Sequence, residues 1–454
     1  VSERAKSHHA ASPIPAAGAP TFEHMRETAR DMFAHALSES NIERAFARHV
    51  QYDGGALRVV DDLYDFSNFA NVLVISFGKA AHSMAEALCA VTGSGLTGII
   101  VDPVEHSAQL SGFRYFRGGH PAPNAESLHA ARTILRLLKM QTQHSLNIYL
   151  ISGGGSALVE SPIDGDISLD DLVATYDALV LSGAPIAEIN AIRKHLSAVK
   201  GGRMARAASG ATQLSIMISD VPDSALDSLA SGPTMPDSTT VEDCYAIAHK
   251  FRLSTKFPAR IRELFEHRLL EETPKSDDPE FVTCRWWPIL SNHSAQRAAA
   301  ESATLAGFAV DVDNTCDDWD YAHAADHLLK RLRKLRTGVS RACLISGGEV
   351  TVKVDRAAGV GGRNQQFALY CAEKIARENI TVISAGTDGI DGNSPAAGAI
   401  ADGTTLERAR KSGFNAAAAL REFNTYPLFD ALGDSVTTGP TGNNVRDLRI
   451  LLAW

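Results

Sequence analysis

The sequence predicts an α/β protein, and three stretches carry the expectation. The apolar run 148–151 leads through Ser152 into Gly153, Gly154, Gly155 and Ser156, as a strand delivering a glycine-rich loop does. Such a loop brings backbone N–H groups close to a phosphate or carboxylate, and the Ser152 and Ser156 hydroxyls add donors. Later in the chain, Leu344-Ile345-Ser346-Gly347-Gly348 repeats Leu150-Ile151-Ser152-Gly153-Gly154 identically. The apolar run 71–76 ends in Phe77-Gly78-Lys79-Ala80 and passes into helical spacing over 81–90. Two α/β units that each present a glycine loop to one cleft account for this pattern.

The elements follow in order. Met32, Phe33, Ala36, Leu37 and Ile42 recur at helical spacing and make 22–48 an amphipathic lead-in. Lys79 stands at a strand-to-helix turn, where a helix N-terminus can meet a phosphate. Its surroundings match neither GxxxxGK[ST] nor GxGxxG. A strand over 98–102, a proline-fixed turn over 118–124 that packs His120, and a helix over 125–140 come next. The span 169–181 is helical, with Asp170 and Asp171 in its first turn. In 189–203, Asn190, Arg193, Lys194 and Ser197 fall at i, i+3, i+4 and i+7, and Lys200 and Arg203 extend that edge. Such a stripe is either a solvated face or a phosphate clamp. The strand 213–219 ends at Asp220, placed for a metal ligand, a catalytic base or a helix cap. The polar stretch 275–280 reads as a linker or a long loop.

The second half opens with a strand at 286–291 and a helix at 295–305; its acidic run Asp311, Asp313, Asp317, Asp318 and Asp320 carries no assigned chemistry. After Glu349, residues 350–354 alternate as a hairpin strand would. The glycine loop 359–362 delivers Arg363 to a helix start, where a guanidinium can grip phosphate or carboxylate oxygens in pairs. The strand 380–384 runs into a loop whose Asp388 and Asp391 offer oxygen ligands for Mg²⁺, at a spacing too short for an EF-hand. The strand 448–452 closes the chain.

The formal net charge of −9 over 454 residues, without a polybasic run, argues against nucleic acid as a partner. No apolar run reaches the length of a membrane span. Six scattered cysteines without zinc spacing point to reduced thiols and a cytoplasmic setting. The Ala-, Pro- and His-rich segment 1–20 lacks the apolar core of a signal peptide and is expected to be a flexible arm.

GKA at 78–80, GGHPAP at 118–123, LISGGGSAL at 150–158, INAIRKHLSAVKGGRMA at 189–205, SDV and ASGPT within 219–234, ISGGE at 345–349, GGRNQ at 361–365, GTDGIDG at 386–392 and TGPTGNNV at 438–445 occur in one order. Together they make the chain resemble the glycerate 2-kinase family, whose C-terminal half is called MOFRL, from about residue 21 to the end. The resemblance implies two dissimilar α/β domains, a Rossmann-like one over 21–284 and a MOFRL-type one over 285–454, with the active site in the cleft between them. It implies transfer of phosphate from ATP, with Mg²⁺, to D-glycerate, giving 2-phosphoglycerate. Lys79 and Arg363 match the family's essential lysine and arginine and, with Asp220, form the expected catalytic set. Ser152, Gly153, Gly154, Gly155, Ser156, Lys200, Gly347 and Gly348 are expected to hold ATP phosphates. Asn190 and Arg193, with Lys79 and Arg363, are expected to hold the substrate, and Asp388, Glu349 and Asp220 the metal. Ser76, Asn124, Asp223-Ser224 and Asn443 depart from the family's usual residues. A homodimer stays open. The alternatives are an NAD(P)H-dependent hydroxypyruvate reductase, disfavoured by the missing GxGxxG with its acidic partner, a kinase of another small hydroxy acid, and a non-catalytic sensor.

Overall fold

A computed structural model describes residues 20–93, 95–354 and 359–454. The expected arm, 1–20, lies outside them except for Pro20. The lead-in forms two helices, Phe22–Glu39 and Ile42–His49, because Asn41 caps the second and breaks the run. Three short strands follow, β1 (Val50–Asp53), β2 (Ala56–Val59) and β3 (Asp62–Asp65), paired antiparallel in a small sheet. Their signal in the sequence is Asp53-Gly54-Gly55, a hairpin turn.

The first large sheet contains β4 (Asn71–Phe77), β5 (Thr97–Asp102), β6 (Phe113–Arg117), β7 (Ser145–Ile151), β8 (Thr212–Ile218) and β9 (Cys284–Leu290). All neighbours are parallel, in the order β6-β5-β4-β7-β8-β9. That is the doubly wound order, whose switch point lies between β4 and β7; ligands bind beyond the strand ends at such a point. Both faces are covered, which is why β7 is buried along its whole length and reads as an unbroken apolar run. Val74, Ile148, Leu150 and Ile216 feed one core, and Leu73, Ile75, Tyr149, Ile151 and Met217 the other, as a side-chain period of two requires.

The second sheet contains β10 (Ala309–Val312), β11 (Ala342–Gly347), β12 (Ile380–Gly386), β13 (Gly398–Asp402), β14 (Ser435–Val436) and β15 (Asp447–Ala453). Its order is β10-β11-β15-β12-β13-β14, with β15 antiparallel to both neighbours. The expected hairpin strand at 350–354 does not form: Thr351 makes only an isolated bridge to Asp320.

Two expectations about organisation are corrected. β9 completes the first sheet beside β8, so the boundary falls after it rather than at 284/285. The helix Phe22–Glu39 instead packs on the helix Asn292–Leu305 and on β12 and β15 of the second sheet. One core therefore runs from Met25 and Phe33 through Val74 and Ile148 to Ile345 and Ile450, joining both sheets. Of the two readings of 275–280 the long loop holds and the free linker does not, because the Lys275 ammonium donates to the Thr239 carbonyl and the Thr273 hydroxyl, and Phe281 beside it is buried.

A Cβ on Gly98 of β5 would overlap the Val74 carbonyl of β4. Gly98→Ala is expected to lower unfolding free energy by about 2 kcal/mol in urea titration, the scale of overpacking.

Candidate active site

At the switch point, the turns after β4, β7 and β8 interlock. Ser152 N–H donates to the Phe77 carbonyl at 3.2 Å, Lys79 N–H to the Gly153 carbonyl at 2.9 Å, and Ala80 N–H to the Ser152 hydroxyl at 3.0 Å. A Cβ on Gly78 would overlap Ser152, and one on Gly153 would overlap the Asp220 carboxylate. Gly154 adopts φ +82° and lies against the Lys79 stem and the His120 ring. Gly155 opens the short helix Gly155–Leu158, whose first-turn N–H groups have no intrahelical acceptor. The Ser156 hydroxyl lies 2.8 Å from that of Ser231. Burial raises the Asp220 carboxyl, against the opposing charges of Lys79 and Arg446. Burial and Lys79 lower the His120 imidazole.

Lys79, Ser152, Gly153 and Asp220 from the first half line one cavity of about 230 Å³ together with Asp388, Asn443 and Asn444 from the second. Asn443 Nδ2 also donates to the Ser40 carbonyl, fixing that wall. Asp388 lines a further cavity, of about 640 Å³, with Glu349 and Arg363. Arg363 begins the helix Arg363–Lys374 and is gripped from two sides. Its Nε and Nη2 donate to Asp447 at 2.6 and 3.0 Å, and Nη2 pairs with Glu349 at 2.8 Å. Burial works against the guanidinium charge, but Asp447 and Glu349 outweigh it and raise the group. The Glu349 carboxyl is raised by burial and by Asp447.

Several expected site residues are engaged elsewhere. The Gly347 N–H donates to Asn314 Oδ1 at 2.9 Å, the Gly348 N–H to Asn292 Oδ1 at 3.2 Å and the Glu349 N–H to Asp317 Oδ1 at 3.0 Å. The repeated loop thus offers no free amides to a phosphate. Lys200 is also corrected: it is buried and paired with Glu160, which also accepts from Ser197, Tyr176 and the Ser161 N–H. The helix of the basic stripe ends at His195, so Lys200 and Arg203 leave its face. Lys194 pairs with Asp227 and Asp237 at 3.0 and 3.1 Å. Arg193 stacks 4.7 Å from the Tyr176 ring centroid, and neither it nor Asn190 lines the Lys79 cavity. Asp391 accepts from the Asn364 and Gln365 N–H groups and caps the Arg363 helix rather than facing a cation; burial pushes it up to about 6. Among the described residues no three metal-ligating side chains converge, so Asp388, Glu349 and Asp220 form no preformed cage. Asp388 and Asp220 do share one cavity.

Residues not singled out from sequence also enter. Arg446, at φ +70°, pairs with Asp317 at 2.6 Å and lines a third cavity, one shared by both halves. Asp447 anchors Arg363. Their signal was an Arg-Asp pair opening the last buried strand.

Residues 28–266 match a family described as a domain of unknown function (DUF4147), and residues 342–447 match the MOFRL family. A glycerate 2-kinase of Pyrococcus horikoshii is 36% identical over 412 residues, 87% of this chain and 92% of that one. A D-glycerate 2-kinase of Thermotoga maritima is 34% identical over 403 residues, covering 87% and 93%. The chain belongs to the MOFRL glycerate kinase family. The crystal structure of a glycerate kinase from Thermotoga maritima superposes with a TM-score of 0.82 at 31% identity, over 95% of this chain and all of that one. The mixed α/β architecture is thus the family's. No helix among the described residues is long and apolar enough to cross a membrane.

If Lys200 neutralises Glu160 rather than a nucleotide, Lys200→Met should destabilise the fold by about 3–5 kcal/mol through an uncompensated buried carboxylate. Adding Glu160→Gln should restore most of that loss in denaturant titration. A fully stable Lys200→Met enzyme with a raised KM for ATP would return Lys200 to the phosphate site.

Proposed function

We propose that this chain is an ATP-dependent glycerate 2-kinase that phosphorylates the C2 hydroxyl of D-glycerate. The observation that carries the proposal is the cavity shared by Lys79 and Gly153 of one half with Asp388 of the other. Phosphoryl transfer demands in-line positioning and neutralisation of charge, and little covalent chemistry from the protein. The Lys79 ammonium and the open amides of the Gly153–Ser156 turn supply positive charge and donors for phosphate oxygens. The Ser152 hydroxyl accepts from Ala80 and so positions the Lys79 turn. Arg363, with Nε and Nη2 held by carboxylates, is preorganised to present Nη1 to a phosphate or to the glycerate carboxylate.

Asp220, close to Lys79 and raised by burial, is placed to accept the proton of the acceptor hydroxyl. The hydroxyl oxygen bonds to the γ-phosphorus, the bond from that phosphorus to the β–γ bridging oxygen breaks, and ADP leaves with the electron pair. Mg²⁺ fits the donor set, because it commonly takes one or two carboxylates and completes its shell with phosphates and water. Asp388 would hold it; among the described residues only its Oδ1 accepts a hydrogen bond, from the Ile390 N–H at 3.1 Å. When bound, it would neutralise charge on the phosphates. Free cysteines, five of them buried, support a cytoplasmic setting.

Lys79→Ala and Arg363→Ala are each expected to cut turnover about 10²-fold or more in an ADP-release assay, the scale of a lost donor at developing charge. Near-normal turnover of both variants would remove them from the reaction. The acid limb of the kcat/KM profile should follow Asp220: activity falls as the pH drops through an apparent pKa above the ordinary 3.8. Asp220→Asn should lose both that limb and most activity.

A further inference from the structure

The Lys79 cavity, at about 230 Å³, suits a three-carbon acid and the phosphate it receives. It leaves the nucleoside of the donor without a place. The adjoining cavity of about 640 Å³ falls within the size range of sites for small organic ligands. The two share Asp388, which sets them side by side at that carboxylate.

The walls of the larger cavity mix apolar side chains with polar and charged ones, among them Asp318, Gln366 and Asn393, and so suit a ligand with an apolar face and polar edges. Val352, Ile390 and Phe423 line it, as do Glu349, Arg363 and Asp388. Ile390 is 51% exposed, although the next residue, the cap Asp391, is buried. Phe423 adds an independent observation. It follows the helix Ala416–Arg421 and Glu422 at φ +51°, in the left-handed region that such helix ends normally fill with glycine. A bulky side chain is strained there, and strained backbone at a cavity wall points to use. Nor is the ring part of any hydrophobic core among the described residues. Packing therefore does not explain an aromatic side chain at this position. Its neighbour Asn424 accepts from the Val360 N–H at 2.9 Å and ties the glycine loop before Arg363 to the same wall.

Resting on the kinase reading above, we propose that this cavity of the MOFRL half receives the nucleoside of the donor nucleotide. The base lies against Phe423, Val352 and Ile390, and the phosphates run past Asp388 towards Lys79 and Gly153. The second half then holds the base and ribose, and Lys79 and Gly153 of the first meet the phosphate being transferred.

The test is isothermal titration of ADP into the full-length protein and its variants, with steady-state kinetics alongside. Phe423→Gly removes the ring and relieves the left-handed strain, so its melting temperature should equal or exceed that of the parent. Its ADP dissociation constant and its KM for ATP should rise about 10-fold, as expected for one lost base–aromatic contact. The KM for D-glycerate should stay unchanged. Val352→Trp, which fills the cavity, should act in the same direction. If the parent transfers phosphate while both folded variants bind ADP and use ATP as it does, the nucleoside site is wrong and the kinase reading stands. A rise confined to the KM for D-glycerate would assign the cavity to the acid and overturn the proposal, as would a parent protein that binds no ADP. ADP binding lost in both variants of a protein that never phosphorylates D-glycerate would keep the nucleoside site and sink the kinase reading instead.

Discussion

The closeness of three βα turns at the switch point governs this site. The turns after β4, β7 and β8 approach until a single Cβ on Gly78 or Gly153 would overlap a neighbouring side chain. Cross-turn hydrogen bonds from Ser152, Lys79 and Ala80 lock that approach. Lys79, the open amides after Gly153 and the Asp220 carboxylate thereby converge without any one segment supplying them all. Preorganised donors of this kind act without reorganising at the moment of reaction, which is where electrostatic catalysis gains most.

The second half meets that cluster through a different device. Arg363 is held by Asp447 at the start of β15 and by Glu349 after β11, while Asp391 caps the helix that Arg363 begins. Three carboxylates from separate loops thus position one guanidinium. Asp388, three residues before the cap, reaches both cavities. The core shared by the helix Phe22–Glu39 and both sheets keeps the halves in register, and the Asn443 contact to Ser40 reinforces it.

Much of this was legible from sequence because strands buried on both faces read as unbroken apolar runs. β4, β7, β8 and β12, with the turns that follow them, were placed within a few residues. The repeated LISGG shows where legibility ends. Its two copies are identical in sequence, yet the second has its amides taken by Asn314, Asn292 and Asp317, distant residues that no local pattern announces. The basic stripe failed for a related reason: helical spacing placed Lys200 on a surface, whereas the chain leaves the helix after His195 and buries Lys200 on Glu160. Long-range partners decide whether a charged side chain serves a ligand or the fold. The strand β9 was visible as a strand, but its membership in the first sheet depended on topology alone.

The most direct measurement is ³¹P NMR of the purified protein with ATP, Mg²⁺ and D-glycerate. The account predicts a new monoester resonance matching 2-phosphoglycerate, growing as ADP accumulates. A folded protein that yields no monoester, but oxidises NADH when given hydroxypyruvate, would contradict it.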